Sequence, residues 1–220
     1  MARYDGLAEW YDREFLTAAS HPFGLDVATR LLGVPSGRLL DLGCGTGAHT
    51  VAFRDAGWNV TGVDLSEDML RNAAMRGLDV VQADAAALPF ADGSFDAAVS
   101  LFTHTDLDDF PAAVLEATRI LRPGGPLVYV GLHPCFCGPH SRFVGAEGVP
   151  ELHAGYLDEG PYGLEAPGVG SEGLRAKVGA VHLTLDSFLG CFLDAGLSLE
   201  IFEELENRPY PFMVATLWRR

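Results

Sequence analysis

Residues 39–47 read LLDLGCGTG, an apolar run that meets an aspartate and then three glycines at alternate positions. The short buried strand expected over Arg38 to Asp41 enters this loop, and the helix expected over Ala48 to Ala56 leaves it. Glycine supplies positive φ and lets a ligand approach the backbone closely. The helix beyond the loop offers unpaired amides and the positive end of its dipole to a carboxylate or a phosphate. Strand, glycine turn and helix in this order mark the crevice where open α/β sheets hold ligands.

Outward from the loop, strands and helices alternate. Further strands are expected at Trp58 to Val63, Asp79 to Ala83, Phe95 to Leu101 and Pro126 to Leu132. Between them lie a helix capped by Ser66, with Glu67 and Asp68 in its first turn, and a helix from Asp106 to Leu121. Such alternation implies a parallel sheet with right-handed crossovers. At the N-terminus, Leu7, Trp10, Tyr11 and Phe15 form one helical stripe within Tyr4 to Ala18; His21-Pro22 is expected to break it before a short second helix through Val27, Leu31 and Leu32. Near the C-terminus a helix over Thr184 to Asp194 precedes two adjacent strands, Ser198 to Leu205 and Pro211 to Leu217, which pair as a hairpin. The rhythm fails only from His133 to Val181, where ten glycines and five prolines leave little periodicity. A loop that long is a lid, a binding segment or disordered. The chain therefore reads as one domain, 1–220, with a helical cap at 1–35 and an acceptor-side insertion at 133–181.

Composition narrows the function. The chain of 220 residues is 48% hydrophobic and carries a net charge of -15, with Lys177 its single lysine. An acidic surface without a basic patch is a poor match for a phosphate backbone, so no nucleic-acid partner is expected. The apolar stretches are strand-length, so no membrane partner is expected either. The first fifteen residues are acidic and aromatic and lack the pattern of a secretory signal. Cys44, Cys135, Cys137 and Cys191 are too few and too irregular for a disulfide framework, which points to reduced thiols and a cytoplasmic protein.

Two ligand readings compete at the loop. With Ala48 closing G-x-G-x-x-A, Asp64 at the end of the second strand would hold a dinucleotide ribose, as in a nicotinamide oxidoreductase. Asp41, however, would lie near the pyrophosphate and repel it, in a site expected to hold no nearby arginine or lysine. A ligand carrying an ammonium and a cationic sulfonium, such as S-adenosyl-L-methionine (SAM), is favoured by the same acid. Asp41, Asp64 and Asp84 at three successive strand ends strengthen that second reading.

With these segments in order, the sequence resembles the class I SAM-dependent methyltransferases. The matching pieces are LLDLGCGTG (39–47), VTGVDLS (60–66), QADAAALPF (82–90), SFDAAVS (94–100) and LRPGGPLVYVG (121–131). The resemblance implies a Rossmann-like, doubly wound α/β fold with a seven-stranded, mostly parallel sheet and an antiparallel last strand. It also implies a cofactor site. Asp41 and the backbone of Gly43, Cys44, Gly45 and Gly47 would hold the methionine end of SAM. Asp64 would accept from both ribose hydroxyls. Leu65 and Met69 would line the adenine, Asp84 would accept from its amino group, and Ala85 would pack beside it. Leu101 would border the transferable methyl. Tyr4 and Tyr11 match an N-terminal Y-D-x-x-A-x-x-Y-D pattern that folds over the cofactor.

For the acceptor side, methyl transfer is an in-line displacement in which alignment carries most of the effect, and a base helps an oxygen, nitrogen or carbon nucleophile. Thr103, His104, Asp106 and His133 lie where the fourth and fifth strands end. His104 is the candidate base, with Asp106 or Asp108 orienting it, and His133 the second candidate. The other reading of His104 is a ring packed against the cofactor or a loop, and Asp106 has a second reading as a helix cap. His133, Cys135, Cys137 and His140 have metal-like spacing, but one short run rarely closes a tetrahedral site, and no metal is expected. The insertion, with Phe136, Phe143, Tyr156 and Tyr162, would wall a small aromatic or polyketide-like acceptor. The expected protein is a monomer or homodimer that methylates an oxygen or nitrogen of a small molecule. A nicotinamide oxidoreductase or a non-catalytic SAM-binding protein is the alternative.

Overall fold

The computed structural model describes residues 2–16, 20–144, 148–205 and 209–220. The strands are β1 (Arg38–Leu42), β2 (Asn59–Asp64), β3 (Asp79–Gln82), β4 (Ala97–Leu101), β5 (Pro126–Leu132), β6 (Ser141–Val144), β7 (Val149–Leu152), β8 (Gly160–Tyr162), β9 (Ala180–His182), β10 (Ser198–Leu205) and β11 (Met213–Arg219). Seven of them form one sheet in the order β10-β11-β5-β4-β1-β2-β3. β1 to β5 run parallel, while β11 lies antiparallel to both β5 and β10. The Rossmann-like, doubly wound fold with a reversed strand is the one the sequence implies.

The central strands are buried along most of their length because both faces are covered. Leu39 and Leu40 show how adjacent residues divide between the faces. Leu40 joins Phe95, Phe110, Tyr129, Phe188, Phe192 and Trp218 in one core, beneath α5 (Phe110–Ile120) and α7 (Leu185–Asp194). Leu39 joins Val27, Phe53, Val99 and Val130 in the other, beneath α2 (Ser20–Leu32) and α3 (Ala48–Ala56). Trp218 stacks on Phe192 with ring centroids 4.6 Å apart, and each such buried aromatic contributes roughly 2–3 kcal/mol of apolar transfer.

Several boundaries differ from expectation, each for a local reason. The N-terminal segment is a short helix, α1 (Ala8–Trp10), continued by a π-helical turn over Tyr11–Phe15; the expected end of this helix at Ala18 lies outside the described residues. His21-Pro22 does not break a helix but lies inside the first turn of α2, where proline's missing N–H has no intrahelical partner to lose. α5 starts at Phe110 rather than Asp106, because Asp109 is its N-cap, its carboxylate accepting from the Ala112 amide at 3.0 Å. α4 (Glu67–Met75) begins as read, with the Ser66 hydroxyl accepting from the Met69 amide. The insertion is not a bare loop: β6 pairs with β7, β8 pairs with β9, and α6 (Leu174–Val178) lies between β8 and β9. Among the described residues no helix is long and apolar enough to cross a membrane.

Candidate active site

The carboxyl ends of β1, β2 and β4, the loops after β3 and β4, the N-terminal segment and part of the insertion surround one cavity of about 660 Å³. Its volume falls in the range of small-molecule sites. Gly43, Gly45, Asp64, Leu65, Met69, Asp84, Ala85 and Leu101 line it, as do Tyr4 and Tyr11. A small recess beside it is lined by Asp41, Cys44, Thr46 and His49, and shares Tyr11, Gly43, Gly45, Leu101 and Phe102 with the main cavity. The cofactor-side candidates are thus brought together, except that Gly47 lines neither space.

Gly47 serves the fold instead. Its φ is +78°, and a Cβ there would stand 2.3 Å from the Leu78 side chain. Gly45 has φ +55° with nothing within 4 Å of its Cβ direction, so that position is open toward the cavity it lines. Cys44 packs inward, its Sγ 2.8 Å from where a Cβ on Gly62 would be; burial first, then the charges of Asp41 and Asp64, holds its thiol protonated.

The carboxylates differ in state. Asp41 is 2% exposed and accepts from the Thr50 hydroxyl at 2.6 Å; burial pushes its pKa up to about 6, against that hydrogen bond. Asp64 is fixed through both oxygens, Oδ2 accepting from the Gly45 amide and Oδ1 from the Ser66 amide, each at 2.9 Å. Burial raises its pKa, and those amides oppose the rise. Asp84 Oδ1 accepts from the Ala86 amide at 2.9 Å, which orients the other oxygen. Each carboxylate oxygen has a second lone pair, so both residues keep capacity to accept from a ligand.

The N-terminal segment closes over α4 by polar clasps. The Ser66 hydroxyl donates to Asp5 at 2.8 Å. Asp12 receives Arg76 at 2.8 Å and Asn72 at 3.1 Å. Tyr4 and Tyr11 meet edge to face with centroids 6.1 Å apart, and burial raises both phenol pKa values.

On the acceptor side the geometry departs from the sequence reading. His104 is 1% exposed and lines neither space. It sits among Phe110, Tyr129 and Phe188, bonded through Nδ1 to the Tyr129 hydroxyl, and burial drives its pKa down to about 3. The ring thus faces the aromatic core and not the cavity. His133 is likewise enclosed: its Nε2 meets Glu204 at 2.9 Å, its ring packs on Phe136, and it does not line the cavity. Phe136, Phe143, Tyr156 and Tyr162 do not wall the cavity either. Phe143 packs on Phe212, and Tyr156 on His140 and His182. His133, Cys135, Cys137 and His140 do not converge, and among the described residues no group of three such side chains has metal-site geometry.

What the insertion does contribute is Gly168 to Gly170, Glu172, Leu174 and Arg175. Arg175 Nη1 meets Asp106 Oδ1 at 2.6 Å and Nη2 bonds the Thr105 hydroxyl. Asp106, freed from capping by Asp109, faces the cavity beside Thr103, Phe102 and Phe212. Phe102 has a φ of 61°, the sole described non-glycine residue with positive φ, at the turn where β4 ends. Its ring packs against Gly24 of α2, where a Cβ would be 2.9 Å from it.

Residues 40–129 match the family model of a methyltransferase domain. The structure superposes on a SAM-dependent methyltransferase from Mesorhizobium loti with a TM-score of 0.73 and 25% identity, over 93% of this chain and 99% of that one. The matched domain and this neighbour are those of SAM-dependent methyltransferases, consistent with the class I family that the sequence resembles. A structure from Listeria monocytogenes shares the fold with a TM-score of 0.72 at 20% identity, over 90% of this chain and 99% of that one. Among curated relatives, the demethylmenaquinone methyltransferase of Renibacterium salmoninarum is 40% identical over 109 residues, 48% of this chain and 46% of that one. That of Mycolicibacterium vanbaalenii is 40% identical over 131 residues, 57% of this chain and 56% of that one. The chain thus spans about half the length of the curated relatives it matches.

The residues present fit the methyltransferase cofactor, SAM. Thr46 Oγ1, in the small recess, is buried without a hydrogen-bond partner and can serve a polar ligand group there. Among the described residues no arginine or lysine lines that recess, and the two arginines lining the main cavity, Arg3 and Arg175, are paired with Asp108 and Asp106. A pyrophosphate would meet carboxylates without a free cation, whereas an ammonium and a sulfonium would be favoured.

Proposed function

We propose that the chain transfers a methyl group from SAM to an oxygen or nitrogen of a small, largely apolar acceptor. The observation that carries this reading is the single cavity that runs from the strand-end carboxylates Asp64 and Asp84 to the Asp106–Arg175 pair. When bound, SAM supplies a methyl on a cationic sulfur, open to in-line displacement. Asp64 and Asp84 would accept from the ribose and the adenine amino group, and Leu65, Met69 and Ala85 would flank the ring. Asp41, with Thr50 holding it, would lend negative charge to the methionine end. Tyr4 and Tyr11 would close the site against water, which keeps hydrolysis from competing. Leu101 and Thr103 would flank the line of attack.

The acceptor would enter against Phe102, Leu132, Leu174 and Phe212, an apolar wall. The names of the curated relatives, which refer to demethylmenaquinone, support an aromatic acceptor. His104 and His133 are not proposed as bases, because neither ring reaches the cavity. Alignment beside the methyl would carry most of the rate.

Isothermal titration with S-adenosylhomocysteine and with NADH tests the cofactor, and a radiolabelled methyl-transfer screen over phenols, alcohols and amines tests the chemistry. Micromolar binding of S-adenosylhomocysteine with no NADH binding, and label in a small molecule, is the expected result. NADH binding, or tight S-adenosylhomocysteine binding with no transfer to any acceptor, would overturn it.

A further inference from the structure

We propose that the insertion-borne Arg175 and the loop residue Asp106 together form the acceptor-recognition site, and that they select a molecule presenting a hydroxyl group. This rests on the methyltransferase reading and names the substrate class for it.

Three observations meet here. Arg175 and Asp106 line the cavity from opposite sources, the one from α6 and the other from the turn after β4. Their contact at 2.6 Å, with the Thr105 hydroxyl bonded to Nη2, fixes a donor and an acceptor side by side. The insertion is also held here by its backbone, the Val181 amide donating to the Thr105 carbonyl at 2.8 Å. A guanidinium has five N–H donors, and two are engaged by Asp106 and Thr105. The Asp106 carboxylate, which takes Arg175 and also faces the Tyr4 hydroxyl, has lone pairs beyond those two.

A ligand group that satisfies such a pair must both donate and accept. A hydroxyl does both, giving its proton to a hydrogen bond with Asp106 and taking one from Arg175. An ammonium has no lone pair for Arg175 and meets its positive charge. A carboxylate has no proton for Asp106 and enters a cavity already lined by Asp64, Asp84, Asp108, Asp109 and Glu172. An ether or ketone satisfies Arg175 alone. Burial opposes the guanidinium's charge, but the Asp106 carboxylate paired with it outweighs that, so Arg175 stays a cation and a fixed donor.

The test uses four rigid probes on protein saturated with S-adenosylhomocysteine: 2-naphthol, 2-methoxynaphthalene, 2-naphthoate and 2-naphthylmethylamine. The expected result is that 2-naphthol binds on the order of tenfold tighter than each of the others, the worth of one charge-assisted hydrogen bond. Arg175→Gln and Asp106→Asn should each erase that preference while leaving S-adenosylhomocysteine affinity within about twofold, which also reports that the variants fold. Equal affinities for the four probes, including no measurable binding of any, or a preference that survives both substitutions, would overturn the proposal. Failure of the wild-type chain to bind S-adenosylhomocysteine would overturn instead the methyltransferase reading beneath it.

Discussion

Asp64 Oδ2 accepts from the amide of Gly45 at 2.9 Å, so the carboxylate at the end of the second strand shapes the glycine loop at the end of the first. Its second oxygen holds the Ser66 amide that opens α4. The residue assigned to the ribose is therefore also a brace between two βα turns.

From that double role, Asp64→Asn should weaken S-adenosylhomocysteine binding more than loss of one ligand contact would. An amide can accept at one oxygen only, so one brace breaks and its NH₂ faces an amide donor. Charge-assisted bonds are worth about 1.5–3 kcal/mol each, so the loss should be roughly 10- to 100-fold or greater. Calorimetric titration measures it, with circular dichroism checking the fold. Affinity equal to wild type would remove Asp64 from the cofactor site.

Gly45 and Gly47 should separate cleanly. Both have positive φ, so alanine strains either by roughly 1–2 kcal/mol. At Gly47 the new Cβ also meets Leu78 at 2.3 Å and the Ala73 Cα at 3.2 Å, so Gly47→Ala should lower the melting temperature by much more than Gly45→Ala does. Gly45→Ala meets no protein atom and should instead lower cofactor affinity. Thermal denaturation with and without S-adenosylhomocysteine reads both; similar melting temperatures for the two variants would contradict the placement of Gly47.

His104 should govern stability against acid rather than turnover. Its pKa is about 6.5 unfolded and about 3 folded, so above 6.5 both states hold it neutral. Between those values the unfolded chain takes up a proton that the fold refuses, and stability falls as pH drops, by up to about 1.4 kcal/mol per pH unit. His49, lowered to about 4, acts in the same direction, while Asp41, raised to about 6, acts against them below pH 6. His104→Leu leaves those other groups in place. It should be less stable at pH 7.5 by about 1–3 kcal/mol, for the stranded Tyr129 hydroxyl, yet lose stability less steeply between pH 7 and pH 5. Urea denaturation across that range checks it; a parallel slope for the two proteins would refute the buried, neutral ring.

Asp12→Ala should loosen the N-terminal closure without unfolding the sheet. It removes the partner of Arg76 and Asn72, whose anchoring pair is half-buried. Cofactor affinity should fall by up to about fivefold, the worth of one such pair, with a melting temperature changed by only a few degrees. Proteolysis near residues 2–16 should quicken in parallel. Unaltered cutting and unaltered affinity would show that the clasp does not hold the closure.

That the cofactor-side candidates gather about one cavity was legible because their signals are local in sequence. LLDLGCGTG, Asp64 and Asp84 each sit where a strand ends, and the sheet brings strand ends together whatever the loops do. The acceptor half was not. Arg175 and Asp106 are 69 positions apart, and their meeting depends on four short strands with too few residues to show alternation. The one available sign was that Arg175 is among three basic residues in the insertion of a very acidic chain. His104 misled because its neighbours in sequence, Thr103 and Thr105, are polar, while the rings that enclose it come from α5, β5 and α7. Asp106 was ambiguous as a cap until Asp109 proved to fill that place.

The reversal of β11 has a consequence for how this chain can diversify. Because that strand runs against β5, its first residue, Met213, and Phe212 just before it lie at the same end of the sheet as the departure of β5 at Leu132. The Phe212 carbonyl accepts from the His133 amide at 2.9 Å, and its ring receives Phe143 from the insertion. The final strand thus supplies a fixed post to which an interchangeable segment is tied. Insertions of other lengths and chemistry can be mounted between Leu132 and Thr184 against that same post, leaving the register of the sheet and the donor end of the cavity untouched.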